Sequence, residues 1–399
     1  MDQTLTRARG AAAAAFATQG MIFISLTTRL PDFQDKWDLS SGALSVVLLM
    51  MVLLAGGGSV LAETLAARRE SAWLLRSGLA GIAVAEPLVV LAPSKAVFIA
   101  VLALYGIALG IVDATTNMQA VALEHAYRRP ILPSFYGAWT VGGIVGAALT
   151  LAGSHLDLRW AALLGVVPLI ALTLPLLRRG ASLPDTSEMP PVPWRPILMV
   201  GVVMVLFYMV DTASTTWGPT YLDKVFPTPS GLVALATFPY LVASGLLRLV
   251  GDPLVARFGP VRVLRVGALL AFIALAVVVS APNWQVAVLG FTLVGAGASV
   301  IAPLSFSAAA RIAGGDDVPE ELRLRRVDAV IGRFNQFNYA GALLGSVMTG
   351  AVGADSLRIG FALPMVLVLG IIPLASAFGV RSLRAGAPEC APEPLPPSP

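Results

Sequence analysis

Two carboxylates in this sequence lie where a carboxylate is expensive. Asp113 sits in "GIVDATTNMQAVALE" (110–124), inside an apolar run that begins near Val97 and meets little charge before Glu124. Asp211 sits midway along a second such run, in "FYMVDTASTTWGPTY". If these runs cross a bilayer, an ionised carboxylate at their centre costs about 2.5–3.5 kcal/mol. Each acid must then be paired, reached by water, or protonated. The chemistry open to it is proton binding, contact with a transported solute, or a fixed hydrogen bond to a neighbouring helix.

The neighbouring residues narrow the choice. At helical spacing Asn117 shares the face of Asp113, with Gly106, Ala120 and Glu124. A stripe of small and polar side chains meets protein or water rather than lipid. Tyr208, Thr215 and Gly218 share the face of Asp211, and Pro219 can break its helix. A carboxylate in low dielectric gives up its charge readily, which makes Asp211 a candidate for proton coupling or substrate binding. The alternative is a fixed bond to a carbonyl freed by Pro219.

A third polar cluster opens "IGRFNQFNYAGALLG": Arg333, Asn335, Gln336, Asn338 and Tyr339 crowd two turns. Arg333 and Gln336 share one face, Asn335 and Asn338 another, so they cannot all face lipid. Arg333 can hold an anionic group or pair with an acid such as Asp328. Asn338 is the better candidate for substrate contact. Glu86, just before Pro87, is a further candidate for protonation, unless it reaches the interface or pairs with Arg29. Gln19, Tyr136, Trp139 and Trp217 are candidate cavity lining, although aromatics here also serve as packing or interface belts.

These groups need elements that carry them through a membrane. The chain has 399 residues, 57% hydrophobic and only 13% charged, with a mean hydropathy of +0.80. Soluble domains carry about 25% charged residues, so a polytopic membrane protein is expected. Runs of about 20 apolar residues fall at 9–30, 41–66, 72–92, 96–124, 134–153, 159–177, 197–222, 230–255, 261–281, 285–312, 327–353 and 357–380. The first resembles a signal peptide but continues past Ala17 to about Leu26, and is read as a retained span. A polar, Pro-rich linker at 178–196 divides an N-terminal bundle (1–177) from a C-terminal one (197–380), and a disordered tail follows from 381 to 399.

Arginines crowd alternate loops. Arg7, Arg68, Arg128, Arg178, Arg257 and Arg326, with their neighbours, fall on one side, against a sparse set such as Lys36, Lys95 and Lys224 on the other. The positive-inside rule then places both termini in the cytoplasm. The net charge of +4 reflects this topology, and no nucleic-acid partner is expected.

The halves repeat each other. Segment 61–78 lies over 250–267 without a gap, pairing Glu63 with Asp252, Arg68 with Arg257, Arg76 with Arg265 and Gly78 with Gly267. "TTRLP" (27–31) parallels "TTWGP" (215–219), and "GGIVGA" (142–147) parallels "GALLGS" (341–346). Registered acids and arginines point to a duplicated six-plus-six transporter.

On these residues the chain resembles the major facilitator superfamily. "GLLRLVGDPLVARFGPVRVLR" (245–265) is similar to its G-x-x-x-D-R-x-G-R loop motif, with 61–69 as a degenerate copy. "VDATTNMQAVALEHAYRRPILPSFYGAW" (112–139) resembles the fucose-permease-like, inner-membrane sugar-permease-like branch, matching at Asp113, Asn117, Gln119, Glu124, Arg129 and Pro130, with Tyr136 where relatives carry His. The resemblance implies an all-α fold of twelve transmembrane helices in two pseudo-symmetric bundles. It implies a coupling or structural role for Asp113, shared regardless of substrate. It also implies cytoplasmic gating by Glu63, Arg68, Arg248, Asp252 and Arg257, where an acid meets the positive end of an opposing helix. The plainer alternative is a topology signal.

The expected function is secondary transport of a small organic molecule by alternating access. No Walker, HExxH or GxSxG motif is legible, and Cys390 is the only cysteine. No cofactor, metal or catalysis is therefore expected. Isolated carboxylates favour protons as the coupling ion. Proton-coupled export of a drug or metabolite is expected on the scarce charge, with sugar import as the alternative that the amide and Trp content suits. A non-transporting sensor or scaffold is the alternative of another class. A monomer in the bacterial inner membrane is expected.

Overall fold

The computed structural model describes residues 3–66, 68–127, 131–177, 193–249, 251–315, 330, 334 and 336–379. Among them there is helix and no strand, as lipid requires of a chain that must satisfy its backbone internally. Among the described residues ten helices are long and apolar enough to cross a bilayer. Shorter helices at Leu158–Leu172 and Gln336–Val352 occupy the sixth and eleventh expected positions, so every expected span carries helix. Most of the expected linker and the whole tail from 381, with Asp328, Arg333 and Asn335, lie outside the described residues.

Local chemistry shapes several spans. The first runs Gln3–Thr28, the second Ser41–Ala66, the third Ser71–Val90, the fourth Lys95–Tyr127 and the fifth Leu132–Ala152. The seventh breaks into Trp194–Thr212, a π-helical turn at Ala213–Trp217 and Gly218–Val225. Pro219 lacks the N–H that would close the turn, and the ladder widens there. The eighth span was expected to run unbroken to 255. Instead a 3₁₀ entry at Ser230–Ala236 leads into Phe238–Leu249, and a separate short helix, Gly251–Phe258, follows. The ninth is Pro260–Ser280, the tenth Trp284–Ala298 with Ile301–Gly314, and the twelfth lies within Leu357–Phe378.

The packing is duplicated. The first helix packs on the fifth and the seventh on the eleventh. The second packs on the fourth as the eighth does on the tenth, and the third on the sixth as the ninth does on the twelfth. Between the halves the second helix meets the eleventh and the fifth meets the eighth. Small residues allow these approaches. Gly146 faces the carbonyl of Met21, and Gly345 faces the carbonyl of Met209, with no room for a Cβ at either. Large apolar side chains such as Val46, Leu53, Trp73 and Val266 point outward, as lipid-facing helices allow.

The last helix of each half is irregular, mixing 3₁₀ and α turns. Repeat-related arginines serve the carbonyls this frees. Arg76 donates to Leu172 O at 3.0 Å and Leu174 O at 3.1 Å, and Arg265 donates to Ile372 O at 3.2 Å.

Candidate functional site

The fourth helix carries Asp113 to the interface between the halves, and both halves contact its carboxylate. Gln19 of the first helix donates to Oδ1 at 3.1 Å. The phenol of Tyr339, on the eleventh helix of the other half, donates to Oδ2. One turn on, Asn117 donates to the Asp113 carbonyl at 2.9 Å and accepts from the Tyr136 hydroxyl at 2.9 Å. The Tyr136 ring packs at 5.8 Å from both Phe16 and Phe306, the latter across the interface. Asp113 is thus a hydrogen-bonded acid that also keeps partial exposure. The sequence placed Asp113 and Asn117 on one face and gave Gln19 and Tyr136 as candidate cavity lining; the structure brings the four together. The partner Tyr339 was visible only as one of five crowded polar residues.

Ser59 extends this network. Buried on the second helix one turn before Glu63, it lies near the Tyr339 hydroxyl and the Glu63 carboxylate. Glu63, expected at a loop gate, lies near enough to Tyr339, the partner of Asp113, to act on it electrostatically.

The second acid has a separate setting. Asp211 accepts from the Tyr240 hydroxyl at 2.5 Å, and its carbonyl accepts from Thr215 at 2.8 Å. Arg248 lies close enough to act on Asp211 electrostatically. Arg248 itself donates to Thr140 across the interface at 2.7 Å and to the Ser299 carbonyl at 3.3 Å. It sits in the last turn of the eighth helix, which ends at Leu249. Arg68 and Arg257 are exposed near the loops, the latter with its guanidinium 5.2 Å from the Phe258 ring centre. Asp252 lies in the short helix Gly251–Phe258, and its side chain is outside the description.

Other candidates fall elsewhere. Trp217 is wholly buried and donates to Ser346 O at 2.7 Å, a packing position rather than cavity lining. Trp139 is half-buried against Phe23, at 6.4 Å between ring centres. Gln336 is exposed, and Asn338 is half-buried. Glu86 is 1% exposed with Oε2 unpartnered, inside the N-terminal half. Arg29 acts on it electrostatically but forms its ion pair with Asp32, at 3.9 Å. Sequence reading missed Tyr240, Thr140 and Ser59. The signal that could have found two of them is the internal repeat, which lays Ser59 over Arg248 and Thr140 over Tyr339.

The end away from the termini is also bridged. Lys224 pairs with Asp35 of the other half at 2.6 Å and with Asp223 at 3.0 Å. Nearby, burial pushes the Asp32 carboxyl up from its ordinary value; Arg29 opposes this, and Asp223 and Asp35 add to it.

No protein-family model matches the chain. An uncharacterized MFS-type transporter of Yersinia pestis is 30% identical over 298 residues, covering 73% of this chain and 75% of the relative. The membrane protein MosC of Rhizobium meliloti is 25% identical over 395 residues, covering 95% and 91%. Among solved structures, a variant of the nucleoside transporter NupG superposes with a TM-score of 0.68 at 12% identity, over 94% of this chain and 99% of that one. The major facilitator transporter FucP, in its outward conformation, gives 0.63 at 17% identity over 93% and 98%. At such identities these two likenesses speak to fold.

Proposed function

Because this chain belongs to the major facilitator superfamily, and so is a multi-pass membrane transporter of small molecules, we propose that it couples solute movement to protons through Asp113. The observation that carries this reading is the carboxylate held from both halves, by Gln19 on one side and Tyr339 on the other. Ionised, it is a strong acceptor for both donors; protonated, it loses half of that acceptor capacity and weakens the bridge. A proton arriving at Asp113 thereby changes the free energy of separating the bundles, which alternating access requires. Asp211, held by Tyr240 near Arg248, is the second proton or substrate group.

The carried solute is proposed to be small and hydroxylated. Tyrosines, amides and carboxylates converge at Asp113 and Asn117, and such groups reward matching hydroxyls more than an amphiphilic surface. This favours the sugar-type reading over drug export, and the fold-level likeness to a nucleoside transporter agrees with it. The protein is read as a monomeric carrier without catalytic chemistry, in a bacterial inner membrane, with both termini cytoplasmic on the arginine asymmetry.

The test uses purified protein in proteoliposomes under an imposed pH gradient, with labelled hexoses, nucleosides and a lipophilic cation as probes. Concentrative uptake of a hexose or nucleoside is expected. Asp113→Asn should abolish accumulation, at least tenfold, while retaining exchange. Accumulation by Asp113→Asn equal to wild type overturns the coupling assignment, and transport of the cation alone overturns the substrate class.

A further inference from the structure

At the end that carries the termini, the short helix Gly251–Phe258 turns into the ninth helix, Pro260–Ser280. A cavity of about 420 Å³ opens at this turn, lined by 258–262 with Arg265 and Val266. Gly259 makes the turn at φ 77°, a conformation that a side chain would strain. The charge of the cavity is one-sided: two arginines line it, and no acid among the described residues does. Arg262 is exposed and has no hydrogen-bond or ion-pair partner among the described residues. Arg265 spends its Nε on the Ile372 carbonyl, which leaves its terminal nitrogens available. Paired guanidiniums with spare donors suit a phosphate.

An apolar stripe continues from this head. Arg262, Val266, Leu269 and Ile273 share one face of the ninth helix. The three apolar members are all exposed, as is Phe258 in the cavity wall. Phosphate donors at the head of a lipid-facing stripe match a molecule with an anionic head and an acyl tail better than a free anion. The repeat supplies a contrast. In the register that lays 61–78 over 250–267, Trp73 stands at the place of Arg262 and Arg69 at that of Phe258. The Arg69 guanidinium lies 5.5 Å from the Trp73 ring centre, and Arg76, the counterpart of Arg265, is committed to two carbonyls. The N-terminal copy has no such arginine pair to offer.

We propose that the cavity binds one anionic phospholipid, with its phosphate between Arg262 and Arg265 and an acyl chain along Val266, Leu269 and Ile273. A lipid seated there braces the turn between the two helices, so its binding also stabilises this end of the C-terminal half. The site depends on neither the coupling ion nor the solute.

Native mass spectrometry of the purified full-length protein in a neutral detergent tests this. Phosphatidylglycerol and phosphatidylcholine of matched chains are titrated in turn, with inorganic phosphate and glycerol 3-phosphate as competitors. The first phosphatidylglycerol is expected to bind more than about tenfold more tightly than phosphatidylcholine, as two arginines near an anionic lipid allow. Arg262→Gln should weaken it about fivefold, the contribution of one arginine, and Arg262→Lys should keep most of it. Arg69→Gln, in the N-terminal copy, should leave it unchanged. Phosphatidylglycerol should also raise the melting temperature of wild type and not that of Arg262→Gln. Should Arg262→Gln fail to fold, Val266→Asp sets a like charge against the phosphate from an exposed position and should weaken binding at least as much. Equal affinity for the two lipids, unchanged binding in the Arg262 or Val266 variant, or an equal loss in Arg69→Gln would overturn the site. Displacement of the lipid by either competitor at the lipid's own concentration would overturn the lipid assignment in favour of a simple phosphate site.

Discussion

The two halves share their backbone contacts and differ in their chemistry. Glycines that let helices touch stand at matching positions in both: Gly106 with Gly295, Gly146 with Gly345. In the same registers Asp113 faces Ala302 as its counterpart, Asn117 faces Phe306, Gln19 faces Phe207, and Asp211 faces Phe23. The N-terminal half places its acid on the fourth helix of its bundle, and the C-terminal half places its acid on the first. A packed helix pair tolerates almost no change where backbones meet, because a Cβ there has nowhere to go. Side chains turned to the interface are free to diverge. Duplication therefore supplies a symmetric hinge, and asymmetric side chains give the two halves different tasks on it.

The largest expected effect tests the shared part. Gly146→Leu and Gly345→Leu each drive side-chain atoms into a methionine carbonyl. Overpacking of this kind costs about 3 kcal/mol or more. Both variants should lose most of their folded protein, read as the monodisperse fraction in size-exclusion chromatography in mild detergent. If one half accepts the leucine and the other does not, the halves are not equivalent scaffolds, and the registers used above lose their support.

A smaller effect separates the halves. Arg76 and Arg265 do the same job, but Arg76 is half-buried and makes two carbonyl bonds, whereas Arg265 is exposed and makes one. Hydrogen bonds from charged groups contribute about 1.5–3 kcal/mol when shielded, and much less when exposed to solvent. Arg76→Ala should lower the melting temperature in detergent two- to threefold more than Arg265→Ala. Equal shifts would mean that the last helix of each half depends equally on its arginine, despite the difference in geometry.

Much of this was legible in the sequence. Apolar length located all twelve helical positions, and in-register acids and arginines exposed the duplication before any contact was known. Asp113 and Asn117 were singled out because polar groups in apolar helices are costly, Gln19 and Tyr136 as candidate cavity lining, and the four meet. What sequence could not supply was the partner from the other half. Tyr339 and Thr140 approach Asp113 and Arg248 only because helices far apart in sequence converge, and no spacing rule encodes that distance. Arg248 was expected within the eighth span, 230–255, with a gating role from its motif; the helix ends sooner, at Leu249, and leaves Arg248 in its last turn. Trp217 was read as lining because an indole suits both a cavity and a core, and only packing against Ser346 and Gly350 separates the two.

The smallest effect concerns the end away from the termini. Asp32 coincides in register with Thr220, a buried hydroxyl that does not titrate in the working range. Only the N-terminal half therefore carries a titrating group at this position. Burial, with Asp223 and Asp35 nearby, pushes the Asp32 carboxyl up, and Arg29 offsets part of that. A carboxyl raised in the folded state favours its protonated form there. Its ionisation therefore destabilises the fold as pH rises from the ordinary carboxylate value, near 4, through the raised folded value, and the penalty is constant above that. Because the side chain is 47% exposed, solvent screens most of the effect. Asp32→Asn should flatten a shallow fall in melting temperature over this acidic window and leave the neutral range parallel to wild type. A melting temperature that instead climbs with pH in wild type, and loses that climb in Asp32→Asn, would mean that Arg29 outweighs burial. The ion pair with Arg29, rather than the desolvated acid, would then set the pH response of this end of the N-terminal half.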